Sequence, residues 1–250
     1  MALPVVKIAK TPIGKYLVFD TDFGVSMALR KAGTYERALL DIALKLHAAH
    51  QGPALLIDVG AHIGTFSIPV ATATGCRIHA FEAQRIISQL LGGNFIFNGI
   101  DGARIENVLL AGPDSGSEAL VPCVDYASPG NFGAYTPDAA LASGHVERKL
   151  VLTGAVERIR VSTLDAFHLG DVFLIKIDVE GAELDVLKGA TNTLERNAYP
   201  PLIFESWDRP QWQERAQALA GFLAGLGYEV MKLGDANHLA QHCSRPRVVG

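Results

Sequence analysis

Residues 55–64, Leu-Leu-Ile-Asp-Val-Gly-Ala-His-Ile-Gly, constrain this chain more than any other stretch. An unbroken apolar run reaches Asp58, and Gly60 and Gly64 then frame a tight turn into the next element. A second run, Arg77–Phe81, ends in Glu82. Apolar runs without alternation suit strands covered on both faces. Runs of this kind separated by helical patterns call for a parallel, doubly wound sheet. Carboxylates at the carboxyl ends of adjacent parallel strands are the layout of a nucleotide-type cofactor site. A helix-packing glycine pair is the alternative for this stretch taken alone.

The glycine spacing narrows the cofactor. Dinucleotide turns use G-x-G-x-x-G because a pyrophosphate must lie against backbone at a helix N-terminus. Here Ala61 and His62 follow Gly60, Gly64 closes the turn, and Asp58 stands just upstream. A carboxylate in that place opposes a pyrophosphate and suits the ammonium of an amino-acid moiety. S-adenosylmethionine has that ammonium, a sulfonium, and a ribose whose hydroxyls Glu82 can accept.

Along the chain, residues 5–35 alternate short apolar runs with turn signals and predict an N-terminal β-hairpin or small cap. Leu39, Ile42, Ala43 and Leu46 mark an amphipathic helix over 36–50, stopped by Gly52-Pro53. Strands are expected at 54–59, 77–81, 103–109, 158–161, 172–178, 202–205 and 228–233. Helices are expected at about 64–74, 84–98, 182–196 and 211–226. Residues 111–155 are rich in Gly, Pro, Ser and Asp and predict a short hairpin plus a lid, with a disordered insertion as the alternative. The expected architecture is one α/β domain with a Rossmann-like, mainly parallel seven-stranded sheet. A cap covers residues 1–52 and the catalytic core 53–250.

The 250 residues suffice for one well-buried domain. A net charge of −4 gives no reason to expect a polyanion partner, and Arg245 and Arg247 form too small a basic cluster to change that. Cys76, Cys123 and Cys243 are scattered, which suggests a reducing compartment and neither a disulfide framework nor a zinc site. No signal-peptide pattern or membrane-length apolar stretch is present, so a cytoplasmic protein without a membrane partner is expected.

The strand tips then form one constellation: Asp58 to Gly64, Glu82, Asn107, Asp178 with Glu180, and Glu205 with Trp207. Lys176-Ile-Asp-Val-Glu-Gly-Ala-Glu183 is the second informative block. A buried strand ending in paired carboxylates points to chemistry, so Asp178 and Glu180 are the candidate bases, with His145 in the lid behind them. Glu183 is better explained as a charge complementing the helix macrodipole. His62 faces the cofactor through backbone or ring. His47, His50 and His168 look structural or exposed, and His238, His242 and Cys243 have only loosely metal-like spacing, so no metal site is assigned. Tyr35, Phe66 and Trp207 are options for a cation–π contact with a sulfonium, though core packing explains them as well.

With these motifs in place, the chain resembles the FkbM family of S-adenosylmethionine-dependent methyltransferases from about Gly33 to Glu205. Tyr35-Glu36 looks like that family's aromatic-Glu pair. Asp58–Gly64 is similar to its cofactor turn, where position 62 is more often Asn. Asn94 and Asn98, Thr163-Leu-Asp165, Leu187-Lys-Gly-Ala190 and Asn131-Phe-Gly133 also fit, while Ala83 stands where many members have proline. The resemblance implies a class I methyltransferase fold and methyl transfer to oxygen on a small molecule, glycan or natural product. It implies cofactor contacts from Glu36, Asp58, Gly60, Ala61, His62, Gly64, Glu82, Ala83, Asn107 and Asp178. A homodimer is compatible with the chain. The rivals are an NAD-linked oxidoreductase on the same fold and a non-catalytic S-adenosylmethionine-binding module. A further variant has Asp178, Glu180 and Glu205 gathering a hard divalent cation.

Overall fold

The computed structural model describes residues 4–136, 150–207 and 209–250. The chain begins with an antiparallel hairpin, β1 (Val6–Thr11) and β2 (Gly14–Phe19), followed by α1 (Val25–Ala32) and α2 (Arg37–Ala49). Helix α1 lies within the stretch expected to be only hairpin or cap. Its start is set by Asp22, whose carboxylate accepts the Gly24 and Ser26 amides at 2.9 and 2.8 Å. Gly33, at φ 69°, ends it.

The core alternates β3 (Leu55–Val59), α3 (Ser67–Thr74), β4 (Arg77–Phe81), α4 (Arg85–Phe97) and β5 (Ala103–Glu106). Next come β6 (Leu109–Leu110), β7 (Glu118–Val124), β8 (Leu152–Ser162) and β9 (Val172–Ile177). The rest is α5 (Glu183–Lys188), α6 (Thr191–Arg196), β10 (Leu202–Glu205), α7 (Gln213–Gly225), β11 (Tyr228–Lys232) and β12 (Asn237–His242).

Seven strands form the main sheet in the order β11-β12-β10-β9-β3-β4-β5. From β10 to β5 the neighbours are parallel, while β12 is antiparallel to both β10 and β11. The strand order reverses between β3 and β9, which opens a crevice at their carboxyl ends. Every residue of β3 and β9 is buried. Alternate residues feed two cores: Leu56, Ile78 and Leu174 on one face, Leu55, Ile57 and Ile175 on the other.

The strand count matches expectation but the membership does not. Residues 158–161 lie in β8, which joins a separate three-stranded sheet, β6-β8-β7. The seventh place is taken by β12, whose His238 and His242 have only loosely metal-like spacing. His238 stacks on Phe204 with ring centroids 5.4 Å apart, and His242 stacks on Tyr199 at 4.3 Å with Nε2 2.7 Å from the Leu226 carbonyl. Both rings pack against aromatic side chains of β10 and the segment before it.

The expected helix 182–196 is two helices, α5 and α6, broken at Gly189-Ala190. There the backbone runs so close to Ala111 that a Cβ on Gly189 would lie 2.2 Å from its carbonyl oxygen. Asn94 and Asn98 fasten the hairpin to α4: Asn94 Oδ1 accepts the Leu17 amide at 2.6 Å and Asn98 Oδ1 the Lys15 amide at 2.9 Å.

Within 111–155, β7 and β8 form an antiparallel arm, and a 3-10 turn covers Phe132–Ala134. The following segment, with His145, lies outside the described residues. Among the described residues no helix is long and apolar enough to cross a membrane.

Candidate active site

The turn after β3 is shaped by what it must avoid. Gly60 has φ 77°, and a Cβ there would sit 1.8 Å from the Asp178 carbonyl oxygen. Only glycine allows β3 and β9 to end so close together. The Gly60 and Ala61 amides donate to the Phe81 carbonyl at 2.9 and 3.1 Å, tying the turn to the end of β4. His62 holds a left-handed φ of 50°, and its amide donates to Glu82 Oε2 at 2.9 Å. Gly64, at φ 87°, packs against Ile68 and Leu91.

Glu82 is 5% exposed, and its Oε1 accepts the Gln84 amide at 2.8 Å. Burial pushes its pKa up to about 7, against those two backbone hydrogen bonds. Asn107 Nδ2 donates to the Glu82 and Ala83 carbonyls at 2.8 and 3.0 Å, so this amide braces the backbone behind the site.

Two cavities meet at these tips. One, of about 210 Å³, is walled by Phe81, Glu82, Ala83, Val108 and Leu110. The other, of about 240 Å³, is ringed by Tyr35, Glu36, Phe66, Lys176 and Glu205. Gly60, His62, Gly133, Asp178 and Glu180 line both. A third cavity, of about 360 Å³, lies between α5 and α7 beside Trp207 and Trp212 and touches the first at Asp185. It borders the segments that follow β9 and β10, at Gly181, Ser206 and Trp207.

The second chamber is acidic with one buried cation. Lys176 is 5% exposed and donates to Asp178 Oδ2 at 2.8 Å. Burial pulls its pKa down, but Asp178, Asp58 and Glu36 outweigh that and hold it charged. Glu36 accepts from Asn237 Nδ2 at 3.4 Å, and burial raises its pKa. Burial also raises Glu205 to about 10, helped by Asp178, Glu180 and Glu183. Asp58 is fully buried, and burial raises its pKa against the pull of Lys176 and of the Ser67 hydroxyl.

Glu180 sits at φ 56°. One oxygen of each of Asp178, Glu180 and Glu205 lies within 4.8 Å of the others. Glu183 Oε1 accepts the Val179 and Gly181 amides at 3.2 and 3.1 Å, which shapes the loop after β9.

A model of the methyltransferase FkbM domain matches residues 58–230. The chain belongs to the FkbM methyltransferase family. No curated protein matches the chain by sequence. Among solved structures it is similar to a candidate caffeoyl-CoA O-methyltransferase from Staphylococcus aureus, with TM-score 0.51 and 13% identity over 87% of this chain and 91% of that one. It is also similar to precorrin-6y C5,15-methyltransferase from Geobacter metallireducens, with TM-score 0.49 and 12% identity over 93% of this chain and all of that one. A ribosomal protein L11 methylase from Lactobacillus delbrueckii matches at TM-score 0.46 and 17% identity, over 83% and 79% of the two chains. The first of these likenesses concerns the fold alone.

In this FkbM chain, Glu36, Gly60, Ala61, His62, Glu82, Ala83, Asp178 and Glu180 line the two chambers. Asp58 and Gly64 lie beneath the turn, and Asn107 stands behind it. Two features of the FkbM site were not anticipated. Lys176 was hidden because a lone lysine in an apolar run does not reveal where its head goes; the single charge within Val172–Ile177 was the available signal. The other is a clasp over the first chamber, in which Gln84 Nε2 donates to the Phe132 carbonyl and the Tyr126 hydroxyl to Gln84 Oε1, both at 2.9 Å.

Proposed function

We propose that this chain transfers a methyl group from S-adenosylmethionine to a hydroxyl oxygen on a small molecule, sugar or glycan. The observation that carries this is the pair of chambers sharing one wall at the strand switch point. One offers an apolar slot above a buried carboxylate, and the other a ring of acids. The residues fit the donor. Phe81, Ala83, Val108 and Leu110 suit a purine. Each Glu82 oxygen accepts one amide and keeps capacity for a ribose hydroxyl. Glu36 and Asp178 suit an ammonium, with Asp58 adding negative potential from below the turn.

When bound, the donor supplies an electrophilic methyl group on sulfur. The protein's own part is to align the acceptor oxygen, and well-oriented pairs reach effective molarities of about 10⁵ M or more. A base for the hydroxyl proton adds roughly 10²–10⁴-fold. Glu180 is the proposed base, because Asp178 is tied to Lys176 and Glu205 keeps its own proton up to about pH 10. One oxygen each of Asp178, Glu180 and Glu205 lies within 4.8 Å of the others, so turnover that EDTA leaves unchanged excludes the divalent-cation variant.

Glu180→Gln is expected to leave donor affinity within about twofold and to cut kcat by roughly 10²–10⁴. Undiminished turnover in that variant excludes the base role. Calorimetric titration with S-adenosylmethionine and with NAD separates the donor from the oxidoreductase alternative.

A further inference from the structure

Lys176 stands alone in its strand. The other residues of β9 are apolar and buried, and an ammonium placed among them is costly unless its donors are used. An ammonium has three donors. One goes to Asp178 Oδ2 at 2.8 Å, and Lys176 makes no second hydrogen bond among the described residues. The head group also lies 5.7 Å from the centre of the Phe66 ring and lines the 240 Å³ chamber. Glu36, Asp178, Glu180 and Glu205 line the same chamber. The methionine end of the donor is a zwitterion. Its ammonium finds acids on several sides, while its carboxylate finds one fixed cation in the chamber lining, Lys176, beside the neutral Thr65 and Asn131 side chains.

We propose that Lys176 Nζ binds the α-carboxylate of the methyl donor with its spare N–H groups while Glu36 and Asp178 take the ammonium. This rests on the donor proposed above. The competing account is that Lys176 is only a counter-ion for Asp178 and for Asp58, which faces it in register across β3 and β9. Hydrogen bonds between ionised partners are the strong ones, so the two accounts differ in a measurable way.

The test is calorimetric titration of wild type and Lys176→Gln with three ligands. These are S-adenosylhomocysteine, its decarboxylated analogue, and 5′-methylthioadenosine, which lacks the whole amino-acid end. The variant is expected to bind S-adenosylhomocysteine about 10- to 100-fold more weakly. Its affinity for the decarboxylated analogue should be unchanged or tighter, and methylthioadenosine binding should report an intact adenosine slot. An equal loss on both amino-bearing ligands overturns the proposal.

If the variant fails to fold, wild type decides alone. It is expected to prefer S-adenosylhomocysteine over the decarboxylated form by about tenfold or more, and equal affinity for the two overturns the proposal. Wild type that binds none of the three overturns the donor itself, a distinguishable result.

Discussion

Gly60 shows how little freedom a single position has here. Its φ of 77° and the Asp178 carbonyl oxygen, 1.8 Å from where a Cβ would lie, mean that Gly60→Ala must push the ends of β3 and β9 apart. Affinity for S-adenosylhomocysteine is expected to fall at least about tenfold and stability by roughly 1–3 kcal/mol, measured by calorimetry and denaturant melts. Gly60, Glu82 and Asp178 were readable in the sequence because strand tips in such sheets face the crevice. Asn107 was readable as a tip residue but not as a brace, since an amide suits either task. Lys176 was not readable as a site residue, because burial of a side-chain head is a tertiary fact.

Among the elements, α6 has an unusually explicit start. Asp165 accepts the Thr193 amide and hydroxyl at 2.6 and 2.7 Å and the Asn192 amide and side chain at 3.1 and 3.0 Å. Asp165→Ala is expected to cost about 1–2 kcal/mol in denaturant melts while leaving donor affinity unchanged. A loss of affinity instead assigns that motif to the site.

The clasp made by Gln84 behaves in the opposite way. Gln84→Ala releases Phe132 and Tyr126, so hydrogen exchange of residues 125–136 should rise while that of β3 and β9 stays slow. Unchanged exchange in 125–136 contradicts the clasp.

Strands β3, β4, β9 and β10 were readable because each is a mainly apolar run, interrupted only by Asp58, by Arg77 and His79, by Lys176 and by Glu205 respectively. Strand β12 was not, because His238, Gln241 and His242 hide its pattern. The run at 158–161 was placed in the wrong sheet because local pattern does not say which neighbour a strand pairs with.

For the molecule as a whole, the buried acids couple folding to pH. Burial raises Glu82 and Glu183 from 4.5 to about 7 and Glu205 from 4.5 to about 10. Between those limits the folded state holds more protons than the unfolded chain. Stability is therefore fully present below the unfolded value and declines as pH rises through the folded one. Burial lowers the pKa of His62 and His79 from 6.5, which works the other way at acid pH, so the protein without ligand is expected to melt higher at pH 7 than at pH 9. Glu183→Gln should flatten the slope up to about pH 7, and Glu205→Gln should raise Tm at pH 8 more than at pH 5. Thermal melts across this range check both, and a flat wild-type profile contradicts the assignment.

The position of β12 between β10 and β11 has a consequence for synthesis. While residues 237–242 are still inside the ribosome, β10 presents an unpaired edge, and β11 has no partner to dock against. At about 5–20 residues per second that interval is brief, yet an open edge is a template for a stray strand from another nascent chain. Shielding that edge is the task this topology hands to whatever meets the chain at the tunnel exit.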